Sequence, residues 1–363
     1  MFLSPIFSLR RLLYPNLLEA NPITISPMAF ELERGKLQAA WHGLRQRLRF
    51  YLAGISLAIA LASIACASIF VVMAAETMSP SAIACNRLLI AGTIFGLWQQ
   101  WATSQTAPAQ RCELVGQQAF TRWQIGGLFL AAGTSFAASL NCAAWSLTQT
   151  TVANSTLLNN LMPLFTTLGA WLLLKQAFSR QFLLGLGVAL AGVIAIGAQD
   201  LQIAADQLTG DAAALLAAIF LAVTLLSIEQ LRIQYTTSAV MTGLSAIGAV
   251  LLLPLALLSP GGLLPGDMTS GLAVLALAGV SQVLGHGLLT YSLKSLSSGL
   301  VSVLMLTIPV MSASLAALLF DQHLGWINSL AFLVVLGGIY LAASSQPPTQ
   351  DIHSPAAADC PQP

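Results

Sequence analysis

Long apolar segments constrain the fold of this chain more than any other feature. A helix needs roughly 20 mostly apolar residues to cross the hydrocarbon of a bilayer. Backbone groups in lipid must be hydrogen-bonded within their own segment, so such segments are helices. The sequence therefore predicts an all-α integral membrane protein of about ten transmembrane helices. The ten windows lie at about 51–74, 81–101, 124–146, 151–174, 182–199, 211–231, 239–258, 271–292, 298–320 and 326–343.

The composition excludes several classes of function. Charged residues make up only 7% of the 363-residue chain, against about 25% in soluble domains. The lipid bilayer is therefore the predicted surrounding. The net charge of +1 gives no reason to expect nucleic acid as a partner. The sequence contains no phosphate-binding loop, no metal-binding Cys/His spacing and no nucleophile elbow. We predict no enzyme activity, no cofactor and no metal.

The distribution of basic residues predicts the orientation in the membrane. With a cytoplasmic N-terminus, 13 of the 14 Lys and Arg residues fall on the cytoplasmic side, and Arg87 lies inside a span. This separation follows the positive-inside rule. We therefore expect an inner or plasma membrane protein with both termini cytoplasmic. Residues 1–50 form a predicted cytoplasmic segment in which Met28 is an alternative start, and residues 344–363 form a predicted disordered tail.

The two halves of the chain resemble each other. A shift of 146 residues aligns Gly133 with Gly279, Pro163 with Pro309 and Gly192 with Gly338. Each half, 51–200 and 211–343, contains five windows, and an odd number reverses the second half in the membrane. Inverted repeats of this kind are frequent in secondary transporters, where the substrate site lies near mid-membrane between the repeats.

These patterns resemble the EamA-type permeases of the drug/metabolite transporter superfamily. The resemblance rests on Ser79-Pro80 followed by Arg87, on small polar residues before Pro163 and Pro309, and on glycine-rich fifth and tenth windows. It covers about residues 51–343. The chain departs from the family pattern at Lys175, where a Glu usually closes the fourth helix, so no role is transferred to that position. The resemblance implies two five-helix repeats and transport of amino acids, other metabolites, nucleobases or drugs.

Two windows carry the most conspicuous polar residues. Arg87 lies about seven residues into the second window, where a charge is costly unless it faces a cavity, pairs or snorkels to the interface. A gate, an anion contact, a snorkelling anchor and a cap for backbone carbonyls all remain open. Gln282 and His286 share a helix face at i,i+4 in the eighth window, near Tyr291. Their side chains could line a cavity, His286 could couple transport to protons, or both could be satisfied by a neighbouring helix.

Further candidates lie in the third, fourth and ninth windows. Asn141 and Trp145 form another i,i+4 pair, and Asn154 and Asn159 need polar partners in a membrane. Pro163 and Pro309 predict paired kinks, which are either hinges or static. The predicted substrate-binding residues are Asn141, Trp145, Asn154, Asn159, Gln282, His286 and Tyr291, and the predicted gating residues are Arg87, Pro163 and Pro309.

The function predicted from these residues is that of a secondary transporter. We expect a small neutral or zwitterionic metabolite, such as an amino acid or a drug-like compound, to move by alternating access. A lipid flippase and a structural membrane component are the alternatives, ahead of a membrane-embedded enzyme. The sequence does not determine the oligomeric state, and a homodimer is one possibility.

Overall fold

A computed structural model describes residues 51–104, 121–197, 207–259, 262–320 and 326–345. All of them belong to the compact unit Phe50–Pro363. The predicted N-terminal segment and most of the predicted tail lie outside the described residues. The described residues contain helices and no strand. The helices are α1 Tyr51–Ala74, α2 Pro80–Ser104, α3 Arg122–Gln149, α4 Val152–Asn159, α5 Met162–Leu174, α6 Arg180–Gly197, α7 Leu208–Gln234, α8 Thr237–Leu258, α9 Met268–Ser292, α10 Ser298–Met305, α11 Thr307–Phe320 and α12 Trp326–Ser345.

Several helices begin at a residue that caps their free backbone N–H groups. Thr151, Thr236, Asp267 and Ser297 each stand just before a helix, and each side chain accepts a hydrogen bond from the N–H three residues later. The first turn of a helix has no intrahelical acceptors for its N–H groups, so these caps fix the helix starts. The boundaries therefore follow short polar signals between long apolar runs.

Two of the predicted windows contain an interruption next to a proline. The fourth window is divided between α4 and α5 at Asn160 and Leu161, and Pro163 lies in the first turn of α5. The ninth window is divided between α10 and α11 at Leu306, with Pro309 in the first turn of α11. Proline has no N–H, so it fits the start of a helix and breaks its interior. The predicted kinks are thus real interruptions.

Helices with equivalent positions in the two halves pack against each other. By order along the chain, α2 corresponds to α8 and α6 to α12, and each of these pairs makes extensive contact. In the same way, the packing of α3 on α7 has its counterpart in the packing of α9 on α1. The packing contacts of the first half therefore have counterparts in the second half.

The contact between α6 and α12 depends on small residues. A methyl group added at Gly338 would lie 2.3 Å from the backbone N of Ala189, and one added at Gly185 would lie 2.3 Å from that of Ala342. The neighbouring Gly337 has nothing within 4 Å of such a methyl group. Small residues permit this backbone approach, which is a common basis of helix association in membranes.

The outer surface of the bundle suits lipid. Large apolar side chains are exposed along many helices, among them Leu173, Val250 and Leu333. Soluble proteins rarely expose so much contiguous apolar surface. Exposed aromatic rings gather where α1 and α3 begin and where α2 and α5 end, as expected of residues anchored at a membrane interface. They are Tyr51, Trp98, Trp101, Trp123 and Trp171.

The helices that correspond to the predicted windows fall into a long group and a short group. Seven helices of the described residues are long and apolar enough to cross a membrane. Three further apolar helices are shorter within those residues, at Arg180–Ala195, Ser298–Ser312 and Leu330–Ser345. The prediction of an all-α membrane protein is thereby confirmed, while the count of ten spans stays a prediction.

Candidate functional site

A buried arginine joins the second helix to the ninth. Arg87 of α2 is only 6% exposed. Its Nε donates a hydrogen bond to Oε1 of Gln282 at 2.7 Å, and its Nη2 lies 3.4 Å from Oγ of Ser281 and 3.3 Å from Nδ1 of His286. Three residues of one α9 segment therefore surround a single guanidinium. The structure brings together three of the residues predicted from sequence, namely Arg87, Gln282 and His286.

The geometry of α9 explains how all three partners reach one cation. Residues Leu277–His286 form a π-helix inside α9. Its wider turn brings residues five apart onto one face, whereas an α-helix aligns residues three and four apart. Ser281 and His286, five apart, therefore both contact Arg87 Nη2. The i,i+4 reasoning correctly placed Gln282 with His286, but it gave no hint of the π segment.

His286 has two competing contacts at one ring nitrogen. Its Nδ1 lies 3.0 Å from the backbone carbonyl oxygen of Ser281 and 3.3 Å from Arg87 Nη2. The carbonyl can only accept a hydrogen bond and the guanidinium can only donate one, so Nδ1 cannot bond both at once. A protonated Nδ1 donates to the carbonyl of Ser281, and an unprotonated Nδ1 accepts from Arg87. The ring also packs edge-on against Phe136 of α3, with centroids 5.3 Å apart.

These residues border a small internal cavity. Its volume is about 10 Å³, about enough for one water molecule. Gln282 is fully buried, and its Nε2 has no hydrogen-bond partner among the described residues. A buried amide donor without a partner costs roughly 1–3 kcal/mol. The cavity is lined by Phe136 of the first half and by Leu221, Thr224, Leu225, Ile228, Met241, Leu244, Gln282, His286, Leu289, Thr290 and Met305 of the second.

The cavity is apolar apart from one polar end. Gln282 and His286 form that end, with Arg87 behind them, and Thr224 and Thr290 are the remaining polar lining residues. Thr224 Oγ1 is already bonded to Ser135 Oγ at 2.8 Å. Thr290 Oγ1 donates to Met241 Sδ at 3.2 Å. Among the described lining residues, the buried polar atom that lacks a partner is therefore Gln282 Nε2.

The other predicted binding residues lie elsewhere. Asn154 Nδ2 bonds Oδ1 of Asp211 at 3.3 Å, near the start of α7. The buried Nδ2 of Asn141 and Oδ1 of Asn159 have no partner among the described residues. Trp145 is 51% exposed and Tyr291 is 40% exposed. None of these five side chains lines the cavity, so their assignment to a substrate site stays a prediction.

A second polar group, which the sequence reasoning did not single out, lies at the end of α7. Nε2 of Gln176, just after α5, donates to Oε1 of Glu229 at 2.9 Å. The other carboxylate oxygen of Glu229 is buried and has no hydrogen-bond partner within the part of the chain that the structure describes. The side chain and backbone of Ser298, at the start of α10, lie near this carboxylate. The only sequence signal was an acidic residue within an apolar window.

A second buried arginine stabilises the same end of the bundle. Nε of Arg232 donates to the backbone carbonyl of Thr290 at 3.0 Å, and its Nη1 donates to that of Tyr235 at 2.5 Å. Thr290 lines the cavity, so Arg232 fixes α7 to α9 at the cavity wall. Its hydrogen-bond acceptors are backbone carbonyls, as at the C-terminus of a helix.

The comparison with protein families decides what kind of protein this is. The model of the EamA-like transporter family matches residues 52–198 and again 208–344. The two matches together span well over half of the chain. The chain belongs to the EamA-like transporter family. The resemblance and the two-repeat organisation stated from the sequence are confirmed.

Membership in the EamA-like family gives the site its context. The family is one of membrane transporters rather than enzymes, so the chain is a multi-pass membrane transporter. Arg87 and Phe136 belong to the first matched repeat, and Gln282 and His286 belong to the second. The cavity therefore lies where the two repeats meet, with eleven of its twelve lining residues in the second repeat and Phe136 in the first.

A solved structure agrees with this fold. A crystal structure, described only as that of a protein, is similar with a TM-score of 0.67 and 17% sequence identity, and the match covers 80% of this chain and 97% of that chain. At this identity the similarity extends to the fold alone. No curated protein matches the EamA-like chain.

Proposed function

We propose that this chain is a secondary transporter that moves a small neutral or zwitterionic metabolite by alternating access of two inverted five-helix repeats. The observation that carries the proposal is the cavity at the contact between the repeats, whose polar end is formed by Gln282 and His286 and backed by Arg87. Secondary transporters built from inverted repeats bind their substrates at such a place.

Further features support alternating access. The cavity holds only about one water molecule, as expected of an occluded conformation that must open to admit a solute. Two helix interruptions, next to Pro163 and Pro309, provide places where the backbone can change direction. Helices that correspond in the two halves pack on each other. If each half adopted the conformation of the other, similar packing contacts would therefore form.

The proposed orientation places both termini in the cytoplasm. Lys175, Arg180, Arg232 and Lys294 lie at helix ends that then face the cytoplasm, together with the exposed aromatic rings at the start of α3 and the end of α2. This arrangement follows the positive-inside rule. With ten spans, the Gln176–Glu229 hydrogen bond lies toward the cytoplasmic end of the bundle.

Comparative metabolite analysis tests the proposed function. Cells that express the wild type, cells that lack the protein and cells that express Leu333→Ala are compared in their intracellular and external metabolites. Leu333 is 67% exposed on α12, away from the cavity, and serves as the matched control. We expect one class of small polar metabolite to be redistributed by the wild type and by the control. No redistribution, with both proteins folded in the membrane, would contradict the proposal.

A further inference from the structure

Arg87 is a buried cation with neutral hydrogen-bond partners. Within the described part of the chain, its hydrogen bonds all go to Gln282, Ser281 and His286. No carboxylate among the described residues bonds it or acts on it electrostatically. Leaving a charge uncompensated inside a membrane protein costs several kcal/mol, so such charges are usually paired or functional. The protein thus retains an unfavourable positive charge between its two repeats.

A second observation at the same place calls for an acceptor. Nε2 of Gln282 is a fully buried donor with no partner among the described residues, and Gln282 lines the cavity. Its Oε1 is already occupied by Arg87 Nε at 2.7 Å, which fixes the orientation of the amide. The free donor faces the cavity, and the cation lies directly behind it, bonded to the same Gln282 side chain. A negatively charged acceptor at this end of the cavity would suit both groups.

We propose that the substrate carries a carboxylate, which Gln282 Nε2 and Arg87 bind, and an apolar body that fills the rest of the cavity. This inference rests on the proposed transport function and specifies its substrate class. A carboxylate offers two oxygens in a plane, and a guanidinium is the side chain that matches this geometry. Phe136, Leu225 and Met305 are among the side chains that would contact the apolar body.

The binding event replaces neutral partners of Arg87 with a charged one. Nδ1 of His286 already has an alternative partner in the carbonyl of Ser281 at 3.0 Å. When a carboxylate takes the Nη2 donor of Arg87, His286 can therefore keep a hydrogen bond by donating to Ser281. Ligand binding then satisfies the Gln282 donor and the Arg87 charge without leaving His286 unbonded.

Matched acid and amide probes test this inference. The full-length protein in lipid nanodiscs is unfolded by heat with L-leucine, L-methionine or L-phenylalanine, or with the corresponding amino acid amide. Each pair differs in the carboxylate and keeps the same apolar side chain. We expect at least one free acid to raise the unfolding temperature and its amide to have no effect.

Variants connect the effect to Arg87. We expect Arg87→Gln to lose the stabilisation by the acid and Arg87→Lys to retain part of it. Leu333→Ala, which changes an exposed side chain of α12 away from the cavity, should keep the full shift with ligand. The inference is overturned if no acid stabilises the wild type, if an amide does so equally well, or if Arg87→Gln keeps the full shift.

The outcome separates this inference from the proposed function. Redistribution of metabolites that lack a carboxylate, unchanged in Arg87→Gln, would leave the transporter standing and reject the carboxylate site. Stabilisation by an acid that requires Arg87, with no metabolite redistributed by the wild type, would keep the binding site and reject transport.

Discussion

Nε of Arg87 in α2 donates a 2.7 Å hydrogen bond to Oε1 of Gln282 in α9, across 195 positions of the chain. The bond joins the two EamA-like repeats at the edge of the cavity between them. Because the amide of Gln282 is fixed by Arg87, its free Nε2 is held at the cavity wall. This pair is the centre of the proposed site.

A carboxylate placed at position 282 should imitate a bound substrate. In Gln282→Glu, the side chain keeps its length and its acceptor to Arg87 while supplying the missing negative charge. We expect a higher unfolding temperature and a loss of transport of about tenfold or more, since hydrogen bonds to charged groups contribute roughly 1.5–3 kcal/mol.

Gln282→Leu is the control for that experiment, because it removes the amide and adds no charge. It should lose transport and lower the unfolding temperature, since Arg87 loses an acceptor. Equal unfolding temperatures for the Glu and Leu variants would show that Arg87 is not short of a negative partner.

Two adjacent glycines should differ sharply in tolerance. Gly338→Ala places a methyl group 2.3 Å from the backbone N of Ala189 and forces α6 and α12 apart, whereas Gly337→Ala meets nothing within 4 Å. We expect Gly338→Ala to destabilise the protein by about 1–3 kcal/mol. Gly337→Ala should be neutral or slightly stabilising, because alanine is the better helix former. Thermal unfolding in detergent measures both, and equal behaviour would contradict the packing of these helices.

The hydrogen bond between Gln176 and Glu229 should contribute to closing one end of the bundle. The 2.9 Å bond joins the end of α5 to α7. A double-mutant cycle with Gln176→Ala and Glu229→Ala should give a coupling free energy of about 1 kcal/mol in thermal or chemical unfolding. Additive effects of the two substitutions would mean that the bond does not hold this end.

The cap of α9 should give a pH-dependent contribution to stability. The pKa of Asp267 is lowered by the hydrogen bonds from the side chain and backbone of Ser270, and further by Thr77. A carboxyl group with a lowered pKa stabilises the fold at pH values above its ordinary pKa of about 4. This contribution is lost as the pH falls through the lowered pKa.

Asp267→Asn tests this cap, because asparagine can also cap a helix but does not titrate. The wild type should unfold at a higher temperature than the variant at neutral pH, and the difference should shrink as the pH falls below about 4. A difference that stays constant or grows on acidification would show that the carboxylate does not stabilise α9.

The prolines at the two helix interruptions should affect motion more than binding. If α5 and α11 move about these points, Pro163→Ala and Pro309→Ala should slow transport while ligand stabilisation of the protein persists. The two prolines occupy equivalent positions in the two repeats, so the effects of the two substitutions can be compared directly. Unchanged rates in both would identify static kinks, since replacing proline lets a continuous helix form.

Much of the fold could be predicted from the sequence, because each membrane span is a long run of apolar residues. The helix starts at Thr151, Thr236 and Ser297 follow from small polar residues before those runs. The interruptions next to Pro163 and Pro309 follow from the chemistry of proline. Identical glycines in the two halves indicated a repeat, and the family match confirmed it.

The site was only partly accessible. Gln282 and His286 were paired by helical spacing, but their meeting with Arg87 depends on which helices are neighbours, and one sequence does not contain that information. The π segment Leu277–His286 was invisible, since no local pattern distinguishes its turn from that of an α-helix. The hydrogen bond of the Asn154 amide to Asp211 was not anticipated, because a polar residue in a span signals the need for a partner without identifying it. The assignment of Asn154 to the substrate stays a prediction.

Substrate counterflow in proteoliposomes tests the central claim most directly. Vesicles that contain the protein are loaded with a high concentration of the metabolite identified in cells, and uptake of the labelled compound is followed. We predict a transient accumulation of label with the wild type and with Leu333→Ala, and none with Arg87→Gln. Accumulation that is equally strong in Arg87→Gln, or absent from the wild type, would contradict transport through the cavity between the two repeats.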